Sequence, residues 1–496
     1  MNYCDALYAV PAEILNRPVF TELETAYSLT YGQLQQDVRR WVTFFTQQGL
    51  RPGDCIAIHL HNSVNFILGH MAAQHMGVTS ALLDPLSQPQ SLGYYLTMTQ
   101  AKVLVSHFSD AQLAQADTGD VTVITLDAVP PSGAGDHATE ASKPLYDWPE
   151  DITSYIYFTS GTTSLPKGVP LSYGNHSNFY RIADRYWQPS DHTSKHISFV
   201  PFSHGFGSIF LIPWTIRTHS ECFILRGFHP LKVQQAIEQH GITHIYGVPS
   251  HYQQLLKFEQ FHGALKKLQM AFCAAAKLDR ETIDEWYRVS GHRLHEGYGL
   301  IETTGGITWR VHSDSLQTGD VGVCPDRELI EIGIMDEDNK LLEPGEEGEI
   351  VVRGKSVTSG YLNMPEENAN VFAGGFFHTG DKGKITAARR LIMTGRIKDI
   401  INIAGIKISP YEVESVLNRH PMVSTSAVVS TADSLYGEVV KAFVIPKKGE
   451  SPDARELIKY CATQLINFQV PRQVVFLDKF PQNNMGKVDR KKLRTL

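Results

Sequence analysis

Six short stretches of this sequence combine hydroxyl, carboxylate, imidazole or ammonium side chains with the small residues that tight turns need. The most concentrated is Tyr155-Ile-Tyr-Phe-Thr-Ser-Gly-Thr-Thr-Ser-Leu-Pro-Lys-Gly168. Its first half is apolar, aromatic and β-branched, the pattern of a buried strand. Its second half, Thr159 to Ser164, is small and rich in hydroxyls, and Lys167-Gly168 closes it. A strand ending in such a loop exposes backbone N–H groups beside hydroxyls and one ammonium, a set that suits a polyphosphate. A polar surface turn reads equally well from composition. The spacing is not that of the common nucleotide P-loop. Pro166 stands where the second glycine belongs, and Gly168 follows the lysine.

The other five stretches are Pro201-Phe-Ser-His-Gly-Phe-Gly207, Gly297-Tyr-Gly-Leu-Ile-Glu-Thr-Thr-Gly-Gly306, His378-Thr-Gly-Asp381, Gly395-Arg-Ile-Lys-Asp-Ile-Ile-Asn-Ile-Ala-Gly405 and Asn484-Met-Gly-Lys487. Each alone has an ordinary explanation. A histidine such as His204 in an apolar run is more often a hydrogen-bonded core residue than a catalytic one. Glu302 can cap a helix, Asp381 can close a turn, and Lys487 in a charged tail is most often solvated.

The elements that must position these stretches alternate in type. Tyr31 to Leu50 places Leu34, Val38, Trp41, Val42 and Phe45 on one helical face. Strands follow at Cys55 to Leu60, Val78 to Leu83, Lys102 to Ser106 and Val121 to Thr125, with a helix from Ser63 to His75. This alternation predicts parallel βαβ units. Ala128 to Lys143, rich in Pro, Gly, Ser and Ala, reads as a linker. The alternation resumes with a helix from Tyr173 to Trp187 and strands at His196 to Val200 and Glu221 to Leu225. Then come a helix from Pro230 to His240, strands at Thr243 to Val248 and Met270 to Ala274, and a helix from Arg280 to Val289. Near Val321 the character changes. Leu329 to Ile334 and Gly348 to Arg353 alternate polar and apolar residues around the turn Asp336 to Asn339, predicting antiparallel sheet. From Gly395 a third unit begins, with helices Pro410 to Arg419 and Asp453 to Ile466, strands Val423 to Val429 and Val439 to Ile445, and a basic tail.

The chain has 496 residues, too many for one hydrophobic core. Its 42% hydrophobic and 20% charged content is that of a soluble globular protein, and its scattered cysteines, read as reduced, predict a cytoplasmic location. The net charge of −7 argues against nucleic-acid binding by phosphate neutralisation. The six cysteines form no C-x-x-C pair and read as reduced and structural. The N-terminus does not resemble a secretory signal. Ile197 to Ile216 lacks Asp, Glu, Lys and Arg, but its prolines and glycines make it a strand, a turn and a helix start, not a membrane span.

In order and spacing the six stretches resemble the adenylate-forming superfamily of acyl-CoA synthetases, peptide-synthetase adenylation domains and beetle luciferases, over nearly the whole chain. The resemblance implies an α/β fold. A large N-terminal domain, residues 1–395, would hold two α/β subdomains and a small β-barrel-like sheet. A small mobile α+β domain, residues 396–496, would follow. It implies ATP and Mg²⁺ as cofactors and attack of a carboxylate on the α-phosphate of ATP, giving an acyl-adenylate and pyrophosphate. Thr159, Ser160, Gly161, Thr162, Thr163 and Lys167 would hold the β- and γ-phosphates. Glu302 would bind the metal, with Thr303 beside the α-phosphate. Gly297, Tyr298 and Gly299 would lie along the adenine, with Tyr298 stacked on it. Asp381 would take both ribose hydroxyls, helped by Arg396. Lys487 would place its ammonium between carboxylate and α-phosphate, and Asp399 would be the hinge about which the small domain swings. His204 would gate the acyl pocket, whose wall is expected to include Gly205, Tyr246, Val248, Ala274, Ala275 and Gly305.

Two positions depart from the family pattern. Ser164 replaces a glycine, and Ile301 stands where threonine is typical. The His204 stretch also lacks the aspartate by which amino-acid-activating relatives bind an α-ammonium. The expected substrate is therefore an acid without an α-amino group, in a pocket suited to an aryl or medium acyl chain. The leading expectation is a carboxylate–CoA ligase, most similar to short-chain acyl- or aryl-CoA ligases, acting as a monomer or homodimer without membrane or nucleic-acid partners. The alternative is a stand-alone enzyme that loads a carrier protein's phosphopantetheine. A luciferase-like monooxygenase is a third reading.

Overall fold

The computed structural model describes residues 3–126, 147–159, 166–187, 190–276, 278–310, 319–403, 406–433, 436–482 and 486–496. The expected linker Ala128 to Lys143 lies outside them.

The first four predicted strands form a parallel set joined by crossovers, the three inner ones buried on both faces and Thr122–Thr125 at the edge. Thr122–Thr125, Val103–Ser106, Cys55–His59 and Thr79–Leu82 lie side by side in that order. Thr153–Thr159 joins in parallel beside Thr79–Leu82. The sixth strand, Lys167–Ser172, was not foreseen. It pairs antiparallel with Thr153–Thr159, Thr159 opposite Lys167, so the hydroxyl-rich stretch connects a β-hairpin. Helix Tyr31–Gln47 starts on a capping box between Thr30 and Gln33 and buries Leu34, Val38, Trp41, Val42 and Phe45. Helix Val64–Met76, capped by Ser63, is apolar all round and correspondingly buried.

The second sheet has thirteen strands. Its parallel half holds Leu294–Leu300, Met270–Cys273, His244–Gly247, Lys195–Ser198, Glu221–Ile224 and Pro18–Glu22 in that order. Ser28–Thr30 closes that edge antiparallel to Pro18–Glu22. Beyond Leu294–Leu300 the sheet turns antiparallel through Gly305–Arg310, Asp320–Val323, Arg390–Arg396, Phe377–Ile385, Gly348–Arg353 and Glu331–Met335. The small antiparallel sheet expected near Val321 is thus hydrogen-bonded onto the α/β sheet as its continuation.

Between the six-stranded sheet and the large one, Asn62 acts as a staple. It is 4% exposed. Its amide donates to the carbonyls of Val200 (2.8 Å) and Leu225 (3.1 Å) and accepts from the Phe202 N–H (2.7 Å). It therefore fixes the start of the Pro201–Gly207 loop. The apolar run Ile197 to Ile216 enters as strand Lys195–Ser198 and continues through a wide π-helical turn, Phe206–Leu211, into helix Ile212–Thr218. No helix among the described residues is long and apolar enough to cross a membrane. Cys55, Cys222, Cys273, Cys324 and Cys461 are buried free thiols.

The last hundred residues have their own core. Ribbon Ile401–Ile403/Ile406–Ile408 and sheet Val423–Asp433, Gly437–Pro446 and Gln473–Phe476 pack Ile401, Ile403, Val428, Val440 and Val444 against helices Pro410–Leu417 and Ala454–Ala462. On the other sheet face, Phe443, Phe480 and Leu493 close a smaller cluster.

Replacing Asn62 with alanine leaves the buried Phe202 N–H without its acceptor. The expected cost is about 2 kcal/mol, read as a lowered urea midpoint at unchanged slope.

Candidate active site

A crevice of about 3040 Å³ runs between the large unit and the C-terminal unit. All six stretches reach it. Of Tyr155 to Gly168, Thr159 and Lys167 line the wall, whereas Ser160, Gly161, Thr162, Thr163 and Ser164 lie outside the described residues.

Asp381 and Arg396 come from adjacent antiparallel strands and stand directly opposite each other in register. Asp381 is 1% exposed. One carboxylate oxygen accepts from Arg396 Nε and the other from the Tyr298 hydroxyl, both at 2.9 Å. Burial pushes the Asp381 carboxyl up and the Arg396 guanidinium pulls it back. The residue expected to stack on adenine therefore also anchors the residue expected to hold the ribose.

Glu302 sits in the 3₁₀ turn Ile301–Thr303, between strands Leu294–Leu300 and Gly305–Arg310. Gly299 and Gly305 have to be small there. A Cβ on Gly299 would fall 1.9 Å from the Gly305 carbonyl oxygen, and Gly305 has φ +98°. Glu302 is 8% exposed, and its Oε1 accepts from the Tyr361 hydroxyl at 2.9 Å. Burial pushes its carboxyl up, while the Tyr361 hydrogen bond, Arg396 and Lys167 favour the charged form. Thr303 corrects an expectation. It is fully buried, and its hydroxyl bonds Leu300 and Gly305 within the turn, so it shapes the Glu302 turn rather than reaching the crevice.

Lys167 is 5% exposed, ion-paired with Glu367, and lies 4.7 Å above the Tyr361 ring. Tyr361 and Glu367 are neighbours of Glu302 and Lys167 that no motif in the sequence announced. They join the crevice only because the chain returns there after strand Gly348–Arg353.

Lys487 enters from the C-terminal unit. Burial and Arg396 lower its ammonium to about 8, while Asp381 and Glu302 hold the charge in place. His204 faces it. Its Nδ1 accepts from the Phe206 N–H at 3.2 Å, and burial with the nearby Lys487 pushes the imidazole down to about 3, so it is neutral. Asp399, the expected hinge, lies 3.6 Å from both Arg490 and Arg494 of the basic tail. Gly405 lies outside the described residues.

Of the expected acyl-pocket wall, His204, Gly205, Val248, Ala274, Ala275 and Gly305 line the crevice. Tyr246 does not. It is fully buried behind the wall, its hydroxyl 3.2 Å from His196 Nδ1. Ala275 holds a left-handed φ of 70° at the wall, a strained position for a residue with a Cβ. The floor is aromatic: Trp187 stacks on Phe210 at 4.4 Å and meets Phe272 at 4.6 Å. Ile301 points its terminal methyl at Gly205, where an added Cβ would lie 2.9 Å from it.

Among the described residues, no group of three His, Cys, Asp or Glu could hold a metal ion. Glu302 still fits Mg²⁺. A buried, hard carboxylate oxygen near Lys167 and Tyr361 matches an ion that takes one or two carboxylates and completes its shell with phosphate and water.

The AMP-binding enzyme family matches residues 11–362, and its C-terminal domain matches residues 412–487. The chain belongs to the AMP-binding enzyme family. Within the family's range it is 29% identical to a long-chain-fatty-acid–CoA ligase of Bacillus subtilis (strain 168), covering 94% of this chain and 89% of the relative. It is 28% identical to an oxalate–CoA ligase of Arabidopsis thaliana, covering 94% and 93%. Among solved structures, ATP-bound MatB from Rhodopseudomonas palustris superposes with a TM-score of 0.88 at 28% identity, covering 100% of this chain and 99% of MatB. The apo form of MatB gives 0.79. The amide bond synthetase McbA from Marinactinospora thermotolerans gives 0.87 at 26% identity, covering 99% and 98%.

Because burial penalises the Glu302 charge, Glu302→Gln removes that penalty at neutral pH while keeping an acceptor for Tyr361. The ligand-free variant should melt at a higher temperature than the parent. Its Mg²⁺-dependent activity should fall by about 100-fold or more. A lowered melting temperature would contradict the burial argument.

Proposed function

We propose that the protein is an AMP-forming acid–thiol ligase that activates a carboxylic acid with ATP and passes the acyl group to CoA. One observation supports this above the others. Lys487, from the C-terminal unit, shares its electrostatic surroundings with Asp381 and Glu302, from the large unit, and with Arg396, at the junction of the two. That is the constellation needed to bring two anions together.

In the first half-reaction a carboxylate oxygen bonds to the α-phosphorus and the bond to pyrophosphate breaks. Two negative groups must approach, and a mobile ammonium between them lowers the barrier. Lys487 plays that part. Lys167 takes the terminal phosphates, giving up its pairing with Glu367. Asp381, held by Tyr298 and Arg396, accepts from the ribose hydroxyls. Mg²⁺ at Glu302, when bound, neutralises charge on the phosphate oxygens. His204, neutral and next to Lys487, borders the acyl pocket.

In the second half-reaction the thiol sulfur attacks the acyl carbon and AMP leaves. The C-terminal unit turns relative to the large unit about the junction at Arg396 to Asp399, withdrawing Lys487. Asp399 faces Arg490 and Arg494 of its own unit and so travels with it. The rotation therefore falls on the backbone between Arg396, tied to Asp381, and Asp399. The higher score against ATP-bound MatB than against its apo form supports an orientation suited to the first step.

The aromatic floor and the absence of an acidic side chain in the Pro201–Gly207 loop support a compact apolar or aryl acid without an α-amino group. Lys448, Lys479, Lys491, Lys492 and Arg494 line the crevice on the C-terminal side and suit the phosphates of CoA. A carrier protein's phosphopantetheine is the alternative acceptor. The deciding experiment is a pyrophosphate-release screen over carboxylic acids with CoA, without thiol, and with carrier proteins. Thioester formed only with a carrier protein overturns the CoA reading.

Lys487→Ala should abolish ATP–pyrophosphate exchange by about 100-fold or more and leave thiolysis of supplied acyl-AMP. The ammonium is the working form and titrates near 8, so kcat/KM for adenylation should decline above that pH in the parent protein. Thiolysis should show no such limb. A limb shared by both half-reactions would remove Lys487 from the role.

A further inference from the structure

The arm that carries Lys487 does not rest on the crevice through its ammonium alone. Ser250, near the start of helix Pro249–Leu256, donates its hydroxyl to the carbonyl of Gly486 at 2.9 Å, across 236 residues of sequence. Gly486 itself lies flush on that helix. Its φ is +75°, and a Cβ there would meet His251 Nε2 at 3.2 Å, Ser250 Oγ at 3.3 Å and Val248 at 3.5 Å. So the residue next to Lys487 is fixed by a hydrogen bond and by close backbone approach. Elsewhere on the same interface, Lys447, just beyond strand Gly437–Pro446, pairs with Glu281 of helix Arg280–Ser290 at 2.9 Å. These two side chains are 41% and 40% exposed, so water and salt reach the pair.

We propose that Ser250 and Glu281 form a clamp that holds the Lys487 arm in the adenylation orientation, and that its strength sets the balance between the two half-reactions. The proposal rests on the two-step function above. Neither side chain touches a reacting atom: Ser250 grips the Gly486 carbonyl and Glu281 grips Lys447. They are positioning residues. Both contacts join the large unit to the C-terminal unit, so a rotation that withdraws Lys487 breaks both. An interaction present in one orientation and absent from the other shifts the population between them by its whole differential strength. A single hydrogen bond or a half-exposed ion pair is weak in absolute terms. It is enough to move a balance between two orientations close in free energy. The ion-pair half of the clamp is screened by salt and the hydroxyl half is not.

The test follows ATP–pyrophosphate exchange with benzoate or octanoate, whichever acid gives more pyrophosphate, and CoA thiolysis of the same acid's preformed adenylate, on the full chain. Ser250→Ala should slow exchange about 5-fold and leave thiolysis equal or faster. Glu281→Lys and Lys447→Glu should each slow exchange about 3-fold, and the double exchange of charges should restore it. Raised salt should slow exchange in the parent more than in Glu281→Gln. Parallel loss of both half-reactions in Ser250→Ala would mark a folding defect and overturn the clamp. So would unchanged exchange, or failure of the charge swap to rescue. If the parent exchanges no pyrophosphate with any acid, the functional reading itself falls, and the clamp with it.

Discussion

Charge taken out of water governs this molecule. Glu302 and Asp381 are buried carboxylates pushed toward their neutral forms, and Lys487 is an ammonium pushed toward its own. Each alone costs free energy, because a low-dielectric crevice solvates ions poorly. Together they partly cancel, and Arg396 and Lys167 add the remaining positive charge. The balance exists only while the C-terminal unit is docked. Because Lys487 belongs to the C-terminal unit and Glu302 and Asp381 to the large one, this mutual compensation favours the docked arrangement of the two.

The sheet makes that balance precise in space. Asp381 and Arg396 are register partners on neighbouring strands, so the pairing is set by backbone hydrogen bonds as well as by charge. Because the antiparallel strands continue the parallel ones, the same hydrogen-bonded surface carries Glu302, on the turn between Leu294–Leu300 and Gly305–Arg310, and Asp381. The expected hinge at Asp399 follows Arg396 by one 3₁₀ turn, Ile397–Asp399. The strand that pairs Arg396 with Asp381 ends at that turn.

The acyl side follows different physics. Trp187, Phe210 and Phe272 pack ring on ring, and their stacking builds a dry floor with no charge to offer a substrate. Ile301 points its terminal methyl at Gly205 in the same wall. The residue that departs from the family's threonine thus places a methyl group, not a hydroxyl, against Gly205.

Local chemistry made much of this protein legible from sequence. Apolar periodicity located the helices Tyr31–Gln47, Pro230–His240 and Arg280–Ser290 and the parallel strands to within a few residues, because side-chain spacing and capping act over one or two turns. Glu302, Asp381 and Lys487 stood out only through the resemblance that the six stretches bear, in order and spacing, to a known family, since each alone had an ordinary explanation. Tertiary structure alone decided the rest. The strand Lys167–Ser172 takes its place by pairing with Thr153–Thr159, and Thr303 loses its hydroxyl to its own turn. Tyr246 retreats behind the wall, while Tyr361 and Glu367 arrive beside Glu302 and Lys167. Ser250 meets Gly486 across 236 residues. Such contacts depend on which surfaces meet once the sheets and the two units pack, and no local spacing encodes that meeting.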